Sequence, residues 1–257
     1  MGFISDKLGR RAMRADSDPT STAPRDRADA ATATAGEVAY RRIRSDIVVG
    51  RLAPGRKLTL ERMREAYGTS VNTLREHLSR LASEGLVVAE GSRGFHVSGI
   101  SADNLREVAA MRELLEGHAL RLSFERGDIE WEGGVVAAHH KLASIEQRMA
   151  AGRQPDPKEW RHYDWAFHAA LIAACGSTVL LDTHAAIRDR YLRYQMIAAI
   201  YRGRVASDEH AALRDCALAR DWRRAQRVLA AHIADCVAQM IDELPHVAEA
   251  RGRRPAT

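Results

Sequence analysis

Apolar positions recur at helical spacing along almost the whole chain. From Glu37, the residues Val38, Ala39, Ile43, Ile47 and Val48 fall on one face of a helix that Gly50 ends. Leu52-Ala53-Pro54-Gly55 reads as a turn. Thr59 is placed to cap a short second helix with Glu61 in its first turn and Met63, Ala66 and Tyr67 inward, and Gly68 breaks it. Ser70 caps a third helix, to about Ser83, with Leu74, Leu78 and Leu81 on its inner side and Gly85 at its end. The period then changes. Leu86 to Glu90 and Phe95 to Ser98 read as strands joined by Gly91-Ser92-Arg93-Gly94, a hairpin signal.

From Ser101 onward only the helical period remains, with helices expected over 102–126, 134–151, 157–174, 178–202, 207–218 and 221–244. Asp156-Pro157-Lys158-Glu159 combines a cap, a proline at the first helical position and a glutamate closing a capping box. Ser207-Asp208-Glu209 signals a start in the same manner. The expected fold is mainly α: a winged helix-turn-helix over 35–100, then an antiparallel all-α bundle of six to seven helices over 101–245. Residues 1–34 and 246–257 read as disordered tails.

Composition sharpens this picture at few points. Aromatic residues are only 5% of the 257, while Ala, Leu and Arg abound, which favours helices over a sheet sandwich. No run of eighteen apolar residues exists, so no membrane helix is expected, and the N-terminal residues carry no secretory pattern. Three cysteines, Cys175, Cys216 and Cys236, are too few and too odd for a disulfide framework and suit a reducing cytoplasm. Net charge is uneven: +1 over residues 1–34, +4 over 35–100 and zero over 101–257. A short basic segment joined to a large neutral one suggests a polyanion-binding module fused to something else.

That module has groove-reading chemistry. A major groove about 12 Å wide admits one helix, whose first turns meet base edges. Here those turns carry Ser70, Asn72, Thr73 and Arg75. Asn72 suits an adenine edge, Arg75 suits guanine or phosphate, and Ser70 and Thr73 suit phosphate. Arg93, at the hairpin tip, is placed for the neighbouring backbone or minor groove.

Residues 36–98 resemble the winged helix-turn-helix of the GntR family of bacterial transcription regulators. The resemblance runs through Gly50-Arg51-Leu52-Ala53-Pro54-Gly55-Arg56-Lys57-Leu58, Gly68-Thr69-Ser70, Leu74-Arg75-Glu76, Glu84-Gly85-Leu86-Val87 and Gly94-Phe95-His96-Val97. The family usually has Arg-Thr-Pro where this chain has Val71-Asn72-Thr73, so an arginine that often reads guanine is missing. The resemblance implies a double-stranded operator as partner, without implying its sequence.

Asp164 and His168, at i and i+4, project from one helix face, while His210 and His232 lie on two later helices. Taken alone, these four residues are more often packed core side chains than ligands for zinc, nickel or manganese. Residues 101–244 resemble the all-helical FCD effector-binding and oligomerisation domain of the FadR-type subfamily, at Arg112-Glu113-Leu114-Leu115-Glu116 and Asp164-Trp165-Ala166-Phe167-His168. Ser177 stands where the family often has Asn. The resemblance implies a divalent metal on Asp164, His168, His210 and His232, a small carboxylate effector on its open positions, and a homodimer. Arg112 is then placed either to fork onto the effector carboxylate or to pair with Glu116 at i+4.

Of the other residues weighed, His139-His140 is expected on an exposed helix face, and Cys236 as a small buried filler. Arg188, Arg190 and Arg193 read as a solvated basic run. There is no Gly-rich phosphate loop, no serine nucleophile elbow and no His-Glu-x-x-His. The expected function is a metal-containing, ligand-responsive transcription factor without catalytic residues, acting chiefly as a repressor. Its rivals are a metal-dependent hydrolase fused to a winged domain and a non-specific architectural binder of DNA.

Overall fold

A computed structural model describes residues 34–153, 157–198 and 202–252. Among these, nine α-helices and three short strands form two units, each around its own apolar cluster.

The N-terminal unit, the head, begins with α1 (Ala35–Val48), where the Thr34 hydroxyl accepts from the Glu37 N–H. Helix α2 (Leu60–Tyr67) starts after Thr59, whose side chain makes no capping bond, contrary to expectation. Gly68 ends α2 in the left-handed region at φ +64°, which a residue without Cβ adopts without steric cost. Helix α3 (Val71–Ser83) follows, with Leu74, Leu78 and Leu81 fully buried on its inner face. They meet Ile43 and Ile47 of α1 in the same cluster.

The wing is β2 (Val87–Ala89) against β3 (Phe95–Val97), antiparallel, with Val87 opposite Val97. A third strand, β1 (Lys57–Leu58), pairs with the other edge of β3. Two residues are too short to show a period, so β1 is absent from the sequence pattern. The tip turns through one 3-10 turn, Gly91–Arg93.

The bundle contains α4 (Ala102–Arg126), α5 (Ile129–Ala150), α6 (Pro157–Ile172), α7 (Thr178–Ala198), α8 (Arg204–Leu218) and α9 (Trp222–Gly252). Helix α4 matches its expected span and is the central element, packing against α6, α7 and α9. Helix α5 begins five residues early, because Asp128 caps it through the Trp131 N–H and Trp131 anchors in the core. The pair Gly133-Gly134 is carried inside that helix by this packing.

Helix α8 begins at Arg204, not at Ser207. Ser207 instead donates back to the Gly203 carbonyl, and Glu209 is released from any capping role. Helix α9 continues through Gly252, so the expected tail from 246 is helical as far as that residue. The cap expected at Asp156 and the tail before Thr34 lie outside the described residues. Ser177 caps α7 by accepting from the Leu180 N–H. All three cysteines are buried and free. Among the described residues no helix is long and apolar enough to cross a membrane.

Candidate DNA-reading face and metal centre

On the head, Ser70, Asn72 and Arg75 are exposed together at the start of α3, and Thr73 is half-buried beside them. The Ser70 hydroxyl accepts from the Thr73 N–H at 3.1 Å and lies 2.9 Å from the Thr73 hydroxyl. Ser70 and Thr73 therefore hold the helix start in shape, while Asn72 and Arg75 are the side chains presented outward. Arg93 is exposed on the wing tip.

In the bundle, α6, α8 and α9 bring Asp164, His168, His210 and His232 together. All four are buried, and one ligand atom from each lies within 4.8 Å of the others. His210 Nε2 stands 3.2 Å from Asp164 Oδ1 but off the line of a hydrogen bond. Neither His168 Nε2 nor His210 Nε2 has a hydrogen-bonding partner among the described residues.

The outer nitrogens are fully engaged. His168 Nδ1 is 2.5 Å from Glu116 Oε1, His210 Nδ1 is 2.9 Å from Glu146 Oε1, and His232 Nδ1 is 2.7 Å from Glu209 Oε2. Each imidazole thus has its own carboxylate, the arrangement that fixes tautomer and ring direction in metal-binding histidines. It turns the remaining Nε2 atoms towards one another.

Charge follows from this geometry. Burial opposes ionisation of Asp164, but His210 and His168 hold its carboxyl far below the usual range. Burial likewise opposes a charged His210, yet Asp164 and Glu146 outweigh it and raise the imidazole to about 9. His232 goes the other way, to about 3, because burial outweighs Glu209 and the other two histidines repel its proton. Burial would also raise Glu116, but Arg112 and His168 keep it well below the carboxylate range. Two orphaned inward nitrogens, a third imidazole and an ionised carboxylate form a donor set that fits a divalent ion of the zinc, nickel or manganese kind.

Arg112 takes the second of its two expected roles. It is 1% exposed, donates from Nε to Glu116 Oε2 at 2.9 Å, and lies over the rings of Trp165 and Tyr191. A cavity of about 10 Å³, room for one water molecule, lies beside the quartet. Its cationic lining is Arg161 and Arg202, not Arg112.

A family description of the FCD domain matches residues 107–235, and that of bacterial regulatory proteins of the gntR family matches residues 35–97. The chain is a member of the GntR family. This GntR regulator is 38% identical over 203 residues to the HTH-type transcriptional regulator BphR of Paraburkholderia xenovorans, covering 78% of the chain and 83% of BphR. It is 32% identical over 200 residues to the HTH-type transcriptional repressor GlaR of Escherichia coli, covering 76% and 90%. Its fold is that of E. coli McbR/YncC, with TM-score 0.68 at 18% identity over 82% of this chain and 99% of that one. A GntR-type structure from Rhodococcus superposes with TM-score 0.64 at 21% identity, over 79% and 95%. The regulator's head is therefore a DNA-binding module of known type, joined to an FCD bundle.

Several residues of this GntR regulator were not legible as site residues in the sequence. Glu116, Glu146 and Glu209 grip histidines on other helices, so no i, i+4 spacing marks them. His184 is buried and donates from Nε2 to Glu116 Oε2, 3.2 Å away. His139, expected on an exposed face, is 8% exposed and packs edge-on against Phe167. Arg193, expected in solvent, is 4% exposed and donates to the Ser98 carbonyl. Cys236 is the buried filler its position suggested, and lines the small cavity.

Proposed function

We propose that this GntR regulator is a metal-dependent repressor whose hold on its operator is set by a small carboxylate effector. Asp164, His168, His210 and His232 hold the ion, and one or two coordination positions remain for the effector. The single observation that carries this reading is the set of buried imidazoles, each held from behind by its own carboxylate, with Nε2 of His168 and His210 lacking a hydrogen-bonding partner among the described residues. Without an ion, His168 Nε2 would stay buried with no hydrogen-bonding partner among the described residues, and the Asp164–His210 pair alone would answer the other inward groups.

Arg202, rather than Arg112, borders the small cavity, which an effector would have to enlarge to reach the quartet. Arg202 lies there beside His232, and its buried Nε has no hydrogen-bonding partner among the described residues. Operator contacts are assigned to Asn72, Arg75 and Arg93, with Ser70 and Thr73 shaping the helix start. One reading helix supplies few base contacts, so a homodimer on a pseudo-palindromic site follows. Met111 and Leu114, exposed apolar residues on α4, offer a self-docking face. The name of GlaR supports repression over activation. The hydrolase rival needs a free general base near the ion, whereas the three glutamates around the quartet each hold an imidazole.

Elemental analysis of protein purified without chelator tests the metal. About one divalent ion per chain is expected, lost in His210→Ala and His232→Ala with the head still folded; full occupancy in both variants removes them from the site. A thermal-shift screen of small carboxylates, with and without chelator, tests the effector. Stabilisation that survives chelation would place the carboxylate away from the ion.

A further inference from the structure

Helix α7 has two faces, and each belongs to a different unit of the molecule. Its inner face reaches the quartet's supports: His184 meets Glu116, and Tyr191 lies under Arg112. Gln195 accepts from Trp165 Nε1 at 3.2 Å and borders the small cavity. Its outer face receives the head. Asp189 accepts from Arg44 of α1, Leu192 packs against both apolar clusters, and Arg193 donates to the Ser98 carbonyl just after β3.

On the head, these contacts converge on the end of the reading helix. Glu84 is the C-cap of α3, and it accepts from Arg44 Nε at 3.0 Å and from the Tyr40 hydroxyl. Arg44 thus joins Asp189 of the bundle to the residue that closes the DNA-reading helix. We propose that α7 transmits the state of the bundle's buried site to the reading helix, and that the Arg44–Asp189 ion pair is the latch that holds the head docked.

The physical case rests on where the charges are. Asp189 is 5% exposed, and a carboxylate so buried is costly unless a cation meets it. Two cations do: Arg44 across the seam, and Arg188 of its own helix, whose Nε donates at 3.0 Å. If the head leaves, Asp189 keeps Arg188 and loses Arg44, so the Arg44–Asp189 pair is the ionic contact that separates the docked from the free posture, alongside the Leu192 packing and the Arg193–Ser98 hydrogen bond. This supplies the two-state element that a claim of coupling requires.

Along α7, His184 and Asp189 are separated by about 7.5 Å of helix rise. A helix that short moves as a rigid body in a close-packed core, so a displacement at Glu116 or Gln195 reaches Asp189. The coupling of site to head rests on the proposed metal and effector reading; the latch itself does not.

The test uses the full chain in two arms. In the first, spin labels at the exposed positions Arg62→Cys and Lys141→Cys report the head-to-bundle distance without added metal. A narrow distribution is expected, broadened by Asp189→Asn; an unchanged distribution overturns the latch. Arg44→Gln added to Asp189→Asn is expected to broaden it little further, and full additivity also overturns the latch.

In the second arm, operator affinity is compared with and without zinc. A ratio of about fivefold or more is expected for the parent chain, falling to about one in Asp189→Asn at unchanged zinc stoichiometry. An unchanged ratio overturns the coupling. If the parent chain takes up none of zinc, nickel and manganese, the proposed function fails, and the distance arm alone decides the latch.

Discussion

The head and the bundle solve opposite problems. The fifteen buried side chains of the head cluster are hydrophobic, and the oxygen atoms among them are the hydroxyls of Tyr40 and Tyr67, which donate outward to Glu84 and Asp46. The fourteen buried polar and charged residues among those described all lie in the bundle, from Arg112 to His232. The head keeps its polar side chains, among them Asn72, Arg75 and Arg93, on the outside in water. The bundle places its chemistry inside, where every charge must be matched by design. One unit is held by packing, the other by packing together with a closed electrostatic network, and the two should fail differently.

The largest expected failure is in the network. Glu116 accepts from Arg112 and contacts His168 and His184. Glu116→Ala strands all three and should cost about 3–5 kcal/mol in chemical denaturation of the bundle. A loss below about 1 kcal/mol, as for an exposed pair, would erase the contrast drawn here.

In the head, Leu78→Ala should cost about 2–5 kcal/mol through the cavity it opens. Operator binding should fall with it while metal content stays at the parent level; a fall in both would show that the units do not fold separately. Metal at 100 times its dissociation constant should stabilise the bundle by about 2.7 kcal/mol, read as a thermal shift that chelator reverses and that the head's own transition does not share. Arg75→Ala should weaken operator binding by about 1–3 kcal/mol and relax choice at one base position, measured by gel-shift titration against a panel of single-base variants. Smallest is Ser70→Ala, which removes the cap on α3 and should cost the head about 1 kcal/mol, leaving the bundle untouched.

The same contrast explains what could be read from the chain. The head was legible because its signals are local: Ser70 before α3, Gly68 before that, Leu74, Leu78 and Leu81 at helical spacing. The quartet was legible in part, since Asp164 and His168 share a helix face and the family resemblance supplied His210 and His232. Their supports were not legible. Glu146 meets His210 across 64 residues, and Glu116 meets His168 across 52. No periodicity records such pairs, because they exist only once helices have packed. For the same reason Glu209, apparently a capping residue in sequence, becomes the partner of His232 when α8 starts a turn earlier. Arg193 and His139 look exposed in sequence until neighbouring elements cover them. Local rules reach as far as one element, and buried electrostatics begins where two elements meet.

Trp165 gives the molecule a built-in optical gauge. Its indole lies 5.8 Å from the His168 ring and 6.3 Å from that of His184, with the Arg112 guanidinium over its face. An ion with a partly filled d shell, such as nickel, quenches an excited indole at this range, whereas zinc leaves it bright. Were an ion held by the quartet, the emission that Trp165 contributes, taken as the difference between the parent chain and Trp165→Phe, would tell nickel from zinc.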